Sequence, residues 1–105
     1  MNGHAHIEYW SLLMHQCIAE RIEQGDLEPL RIAAQNLDRW LRLHGELSLA
    51  QSEWVPILGW PTARLLTLLR NAEDEEAIRL RSNSPFAGAI DPQLRLGLLR
   101  EARAA

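Results

Sequence analysis

Glu53-Trp54-Val55-Pro56-Ile57-Leu58-Gly59-Trp60-Pro61-Thr62-Ala63-Arg64-Leu65-Leu66-Thr67-Leu68-Leu69-Arg70 holds two of the four tryptophans, two of the five prolines and the densest leucine run of this 105-residue chain. Aromatic and aliphatic bulk punctuated by Pro56, Gly59 and Pro61 reads as a tight corner between two short helices at the centre of a small core. Trp54 and Trp60 are expected to be substantially buried on either side of Gly59, with the prolines setting the angle. Ser48 with Gln51 matches a capping box, and Ser52 offers a later start. A helix begun at Ser48 meets Pro56 in its interior at a cost of about 3 kcal/mol, so a break or kink near Trp54–Pro56 is expected.

Outside this corner the composition favours helix throughout. Nineteen leucines stand against a single valine, and 47% of residues are hydrophobic, a balance of helix formers over β-branched types. Ile7, Trp10, Leu13, Met14, Cys17, Ile18 and Ile22 share one half of a helical wheel, with Glu8, Ser11, His15, Ala19 and Glu23 on the other. Gly25 closes that helix. Asp26 or Glu28 can cap a second helix, with Pro29 in its first turn. Its stripe of Leu30, Ala33, Ala34, Leu37, Trp40 and Leu41 runs to His44 and stops at Gly45. Asp38 and Arg42 form an i,i+4 pair on its wet face.

Farther on, Asn71 can cap a helix that opens on Glu73-Asp74-Glu75-Glu76 and closes on Arg79 and Arg81, which suits the helix dipole, with Glu75–Arg79 as an i,i+4 pair. Asp91-Pro92 starts a last helix through Leu94, Leu98, Leu99 and Ala102. The expected fold is therefore all-α, a compact single-domain bundle of five or six mostly short helices over residues 6–24, 29–44, a broken 49–58, 61–70, 73–82 and 92–103. Residues 1–105 form one domain with fraying at 1–5 and 104–105.

All eleven basic residues are arginine, a usage associated with a high-GC bacterial genome, and the formal net charge is −3. No global field draws the chain to nucleic acid or anionic lipid. The first 53 residues carry eight acids against four arginines, and the rest six against seven. Cys17 is expected to be an inert buried thiol. His4, His6 and His15 lack metal-ligand spacing and read as solvated. No segment has the pattern of a signal peptide or the length of a membrane span, so a cytoplasmic location is expected.

Function is barely written in the chain. No phosphate loop, nucleophile elbow, Gly-x-Gly-x-x-Gly or Cys-x-x-Cys is present, so no catalytic residue, cofactor or metal is expected. An enzyme would need a constellation visible only in three dimensions. Residues 52–70 have the outline of a helix-turn-helix centred on Gly59, with Trp54, Leu58, Trp60, Leu65 and Leu68 at its apolar positions. The face that would read DNA, however, offers Pro61, Thr62, Ala63, Leu66 and Thr67, none of which makes a bidentate base contact, and only Arg64 and Arg70 for phosphate. DNA binding is the runner-up.

The leading expectation is a small non-catalytic interaction module that binds a protein partner or itself. Leu12, Leu43, Leu66 and Leu96 exceed what single core stripes need. The long connection from Ser82 to Ile90 carries the sole phenylalanine, and loops well beyond the usual length of about 4–6 residues are more often functional. Arg81, Ser84, Pro85, Phe86, Arg95 and Leu66 are the candidate interaction residues.

Overall fold

The computed structural model describes residues 3–105, with side chains from His6 onward. Expectations for residues 1 and 2 and for the His4 side chain lie outside the described residues. Six helices follow in order: α1 Gly3–Glu23, α2 Glu28–His44, α3 Leu49–Ile57, α4 Thr62–Arg70, α5 Glu75–Ser82 and α6 Pro92–Ala104. The all-helical bundle expected from composition is what the chain forms. None of these helices is long and apolar enough to cross a membrane.

α1 is the shaft of the bundle. It packs on α4 and α6 most extensively, then on α5 and α2. This arrangement corrects the two-sided reading of α1: His15 and Ala19, assigned to the wet half, are buried along with Leu12, Ile18 and Ile22. A helix with neighbours on several sides has no single polar face, and its small or polar residues are covered where a second neighbour crosses. Ile7, placed on the core half, is instead 60% exposed.

Sequence-local chemistry sets most helix ends. At Gly25 and Gly45, φ of 93° and 77° turns the chain out of α1 and α2, and the Gly45 N–H bonds the Leu41 carbonyl at 2.8 Å. Leu27 stands at the N-cap of α2 without a side-chain bond, while the Asp26 carboxylate accepts from the Glu28 N–H at 3.0 Å. α2 turns Pro29, Ala33, Asn36 and Leu37 inward, leaving Ala34 outside and Leu41 and Leu43 exposed at its end. α6 is capped as expected, by Asp91 accepting from the Gln93 and Leu94 N–H groups.

Two further helix starts differ from expectation, beside that of α2, where Leu27 and neither Asp26 nor Glu28 is the N-cap. Ser48 caps α3 through a complete capping box, its hydroxyl accepting from the Gln51 N–H at 3.1 Å and the Gln51 side chain accepting from its own N–H at 2.9 Å. α3 then runs unbroken to Ile57 with Pro56 inside it. The expected break is absent because Pro56 falls in the last turn, where it withholds a single bond from Ser52, an exposed residue whose carbonyl water can serve. Asp74, not Asn71, caps α5 by accepting from the Ala77 N–H at 3.3 Å. Asn71 folds the linker instead, accepting from the Glu73 and Asp74 N–H groups. Glu73 and Asp74 thus precede the helix, and Arg79 pairs with Glu76 and with Glu53 of α3 at 2.7 and 2.6 Å, not with Glu75.

The core centres on the opening stretch. Trp54, Ile18, Leu65 and Leu69 are among the largest fully buried side chains. The Trp54 indole N–H donates to the Leu80 carbonyl at 2.9 Å, so its one polar atom is satisfied. Trp60 is half-buried against the same cluster, with the Arg64 guanidinium 3.7 Å above its ring. Of the surplus leucines, Leu12 is buried and Leu66 half-buried, whereas Leu43 and Leu96 remain exposed.

Candidate functional site

Beyond α5 the chain cannot run straight, since Pro85 forbids a continuing helix. Residues 83–91 instead fold back over α1 and α2. Asn36 holds this loop from beneath, its amide donating to the carbonyls of Pro85 at 2.7 Å and Ala87 at 2.9 Å. Arg21 donates to the Ala89 carbonyl at 2.5 Å. Pro85, Phe86, Ala89 and Ile90 are buried by this docking. Phe86 packs in edge-to-face geometry with Trp54, centroids 5.6 Å apart, and with His15 at 6.0 Å.

His15 continues this line into the loop. Its Nδ1 is 2.6 Å from the Ser11 carbonyl, one turn back in α1. A carbonyl only accepts, so Nδ1 carries the proton and Nε2 is left with a lone pair. The Ser84 hydroxyl, 2.8 Å from Nε2, is then the donor to the imidazole. Burial, together with the Arg81 charge, holds His15 neutral, its pKa lowered from about 6.5 to about 4 despite the opposing Ser11 bond.

His15 and Ser84 stand in the wall of a cleft of about 330 Å³ between α1, the loop and the start of α6. Its apolar lining includes Trp10, Met14, Ile18 and Phe86. Arg95 stands at its rim with its guanidinium 5.2 Å from the Trp10 ring, and the Trp10 indole donates to the Arg95 carbonyl at 3.2 Å. Glu8 and Arg81 also line it. Arg81 is only 5% exposed and donates to the Leu68 carbonyl at the end of α4 at 2.9 Å. Among the described residues no carboxylate lies within 4 Å of Arg81 or Arg95.

The structure therefore gathers Arg81, Ser84, Phe86 and Arg95 of the six candidates around one cleft. Pro85 faces away from it, buried in the core, and Leu66 sits half-buried on α4 outside it. Sequence reasoning missed His15, Asn36 and Trp10 as members of this region. The only local signal was the i,i+4 spacing of Ser11 and His15; nothing in the chain pairs His15 with Ser84, 69 positions away.

The other features singled out from the sequence are structural here. His6 is half-buried, not solvated, with Nδ1 3.2 Å from the Ala102 carbonyl. Cys17 is partly buried and free, its thiol pKa raised by burial and by Glu20 and Glu101, which suppresses the thiolate. Among the described residues no three His, Cys, Asp or Glu side chains gather as around a metal ion. Both arginines of the would-be DNA reader are engaged, Arg64 on Trp60 and Arg70 with Glu23 through two bonds of 3.0 and 3.1 Å. No protein-family model, curated protein or solved structure matches this chain.

Proposed function

We propose that this is a small helical interaction module that seats an apolar side chain of a partner protein in the cleft between α1, the 83–91 loop and α6. The carrying observation is the convergence of apolar walls with exposed apolar residues. Ile7 lines the cleft while 60% exposed, and Leu94 and Leu96, which flank the lining residue Arg95 in the chain without lining the cleft themselves, are 48% and 50% exposed. Apolar surface of this kind gains free energy when a partner covers it. Arg95, which pairs with no carboxylate among the described residues, suits a partner segment with an acid beside its apolar anchor. The absence of lysine fits a bacterial source.

Photocrosslinkers placed at Ile7, and at Leu43 outside the cleft, test this reading in lysate of the native cell. Capture at position 7 that is lost in Arg95→Glu or Trp10→Ala, with helix content unchanged, supports it. Capture only at position 43, or none, overturns it. Molar mass in solution tells whether the partner is a second copy. Retention on duplex DNA at low salt would favour the helix-turn-helix alternative instead.

A further inference from the structure

We propose that Ser84 is an acyl-accepting nucleophile with His15 as its general base, acting on small apolar esters that enter the α1–loop–α6 cleft. Three relationships carry this. The Ser84 hydroxyl aims its proton at the bare Nε2 of His15 across 2.8 Å. The Ser11 carbonyl holds Nδ1–H at 2.6 Å and so fixes both tautomer and ring, the office of the third member in a Ser–His–acid triad. Both side chains stand in the wall of a cleft of about 330 Å³ whose other walls are apolar, where an acyl chain would lie. A histidine serving only to tie down the loop needs neither a cleft beside it nor a partner serine that lines that cleft.

The step balances without a cofactor. Ser84 Oγ forms a bond to the ester's acyl carbon while its proton passes to His15 Nε2. The tetrahedral adduct collapses with cleavage of the acyl–alkoxy bond, and the departing alkoxide takes the proton from Nε2, leaving acyl-Ser84 and an alcohol. Water then attacks the acyl carbon, gives its proton to Nε2, and the Ser84 oxygen leaves and recovers it, releasing a carboxylic acid. Arg81 and Arg95, which line the same cleft and have no carboxylate partner among the described residues, are the cations available to the charge that develops on the carbonyl oxygen. His15 is neutral at pH 7 and ready to accept, but it is a weak base with a cation nearby and no acid behind it. Turnover is accordingly slow, and the covalent adduct is the observable to seek.

The inference stands independently of the interaction reading, because its test reads a bond at one atom. The folded protein is treated with an alkyl fluorophosphonate at pH 7.5, and the adduct is located by intact mass and peptide mapping. One adduct on Ser84 is expected, absent from protein unfolded in urea. It should form at least about tenfold more slowly in His15→Asn, which keeps a donor for the Ser11 carbonyl but lacks the Nε2 base. Folding of the variant is checked by helix content; should it unfold, the labelling rate of wild type is compared with and without a short-chain ester competitor, which must slow labelling. No adduct on the folded wild type, an adduct on Ser11 or Ser82 instead, or labelling indifferent to His15→Asn and to competitor overturns the proposal.

Discussion

His15 Nε2 and the Ser84 hydroxyl, 69 residues apart in the chain, meet at 2.8 Å and join the middle of α1 to the loop after α5. Because the imidazole is buried and faces the Arg81 charge, the fold holds it neutral down to about pH 4. The unfolded chain takes up that proton near pH 6.5. Between these values the unfolded state binds more protons, so stability is full above about pH 6.5 and declines as pH falls toward 4. The loss approaches about 3 kcal/mol. Urea unfolding at pH 7.5 and 4.5 should show this slope, and His15→Asn should flatten it whatever its absolute stability.

Asn36 is the hinge pin of the loop, since one amide serves both the Pro85 and Ala87 carbonyls. Asn36→Ala leaves those acceptors without their donor at a cost of about 1–3 kcal/mol. The loss should be local: amide exchange at residues 84–90 should speed up and proteolysis should begin there, while the amides of the core turns of α1 and α4 keep their protection.

Trp54 couples area and polarity at the centre of the core. Trp54→Ala opens a cavity among Ile57, Leu80 and Phe86 and should cost about 3–5 kcal/mol. Trp54→Phe keeps most of the ring but removes one of two donors to the Leu80 carbonyl, which retains the Asn83 N–H at 3.1 Å, and should cost about 0.5–1.5 kcal/mol. Urea midpoints of the two variants check the order; a loss in Trp54→Phe as large as in Trp54→Ala would mean that the ring area kept by Phe contributes nothing.

The Glu53–Arg79 pair joins α3 to α5 with two bonds, at 2.6 and 3.1 Å, but lies at the surface. Glu53→Gln should therefore lower stability by less than about 1 kcal/mol, with the difference shrinking in high salt. Thermal midpoints at two salt concentrations measure it.

Helix number, helix ends and the weight of the opening stretch were legible in the sequence because they rest on local chemistry. Gly45, Ser48 with Gln51, and Asp91 with Pro92 each act within a few residues. Where two local signals competed, the sequence alone did not decide between them. Pro56 seemed to forbid a start at Ser48, yet one missing bond in a last turn is a small loss beside two capping bonds made at the first. Asn71 and Asp74 both could cap α5, and the later residue does so while the earlier one shapes the linker.

The cleft was legible only in part. Phe86 and its neighbours drew notice because a bulky ring in a long loop must be buried somewhere, but Pro85 proved to be core and Leu66 to lie elsewhere. His15 was misread because a helical wheel assumes one buried side, whereas α1 is covered by several helices and by the loop. By itself the sequence determined an all-helical chain with capped, punctuated segments and a tryptophan-centred corner, since propensity, capping and proline act over a turn or two. Only the tertiary structure decided which polar groups lie inside and who meets whom. The encounter of His15 with Ser84, and of Asn36 with the loop carbonyls, depends on how α1 and α2 rotate to bury apolar surface against every neighbour at once.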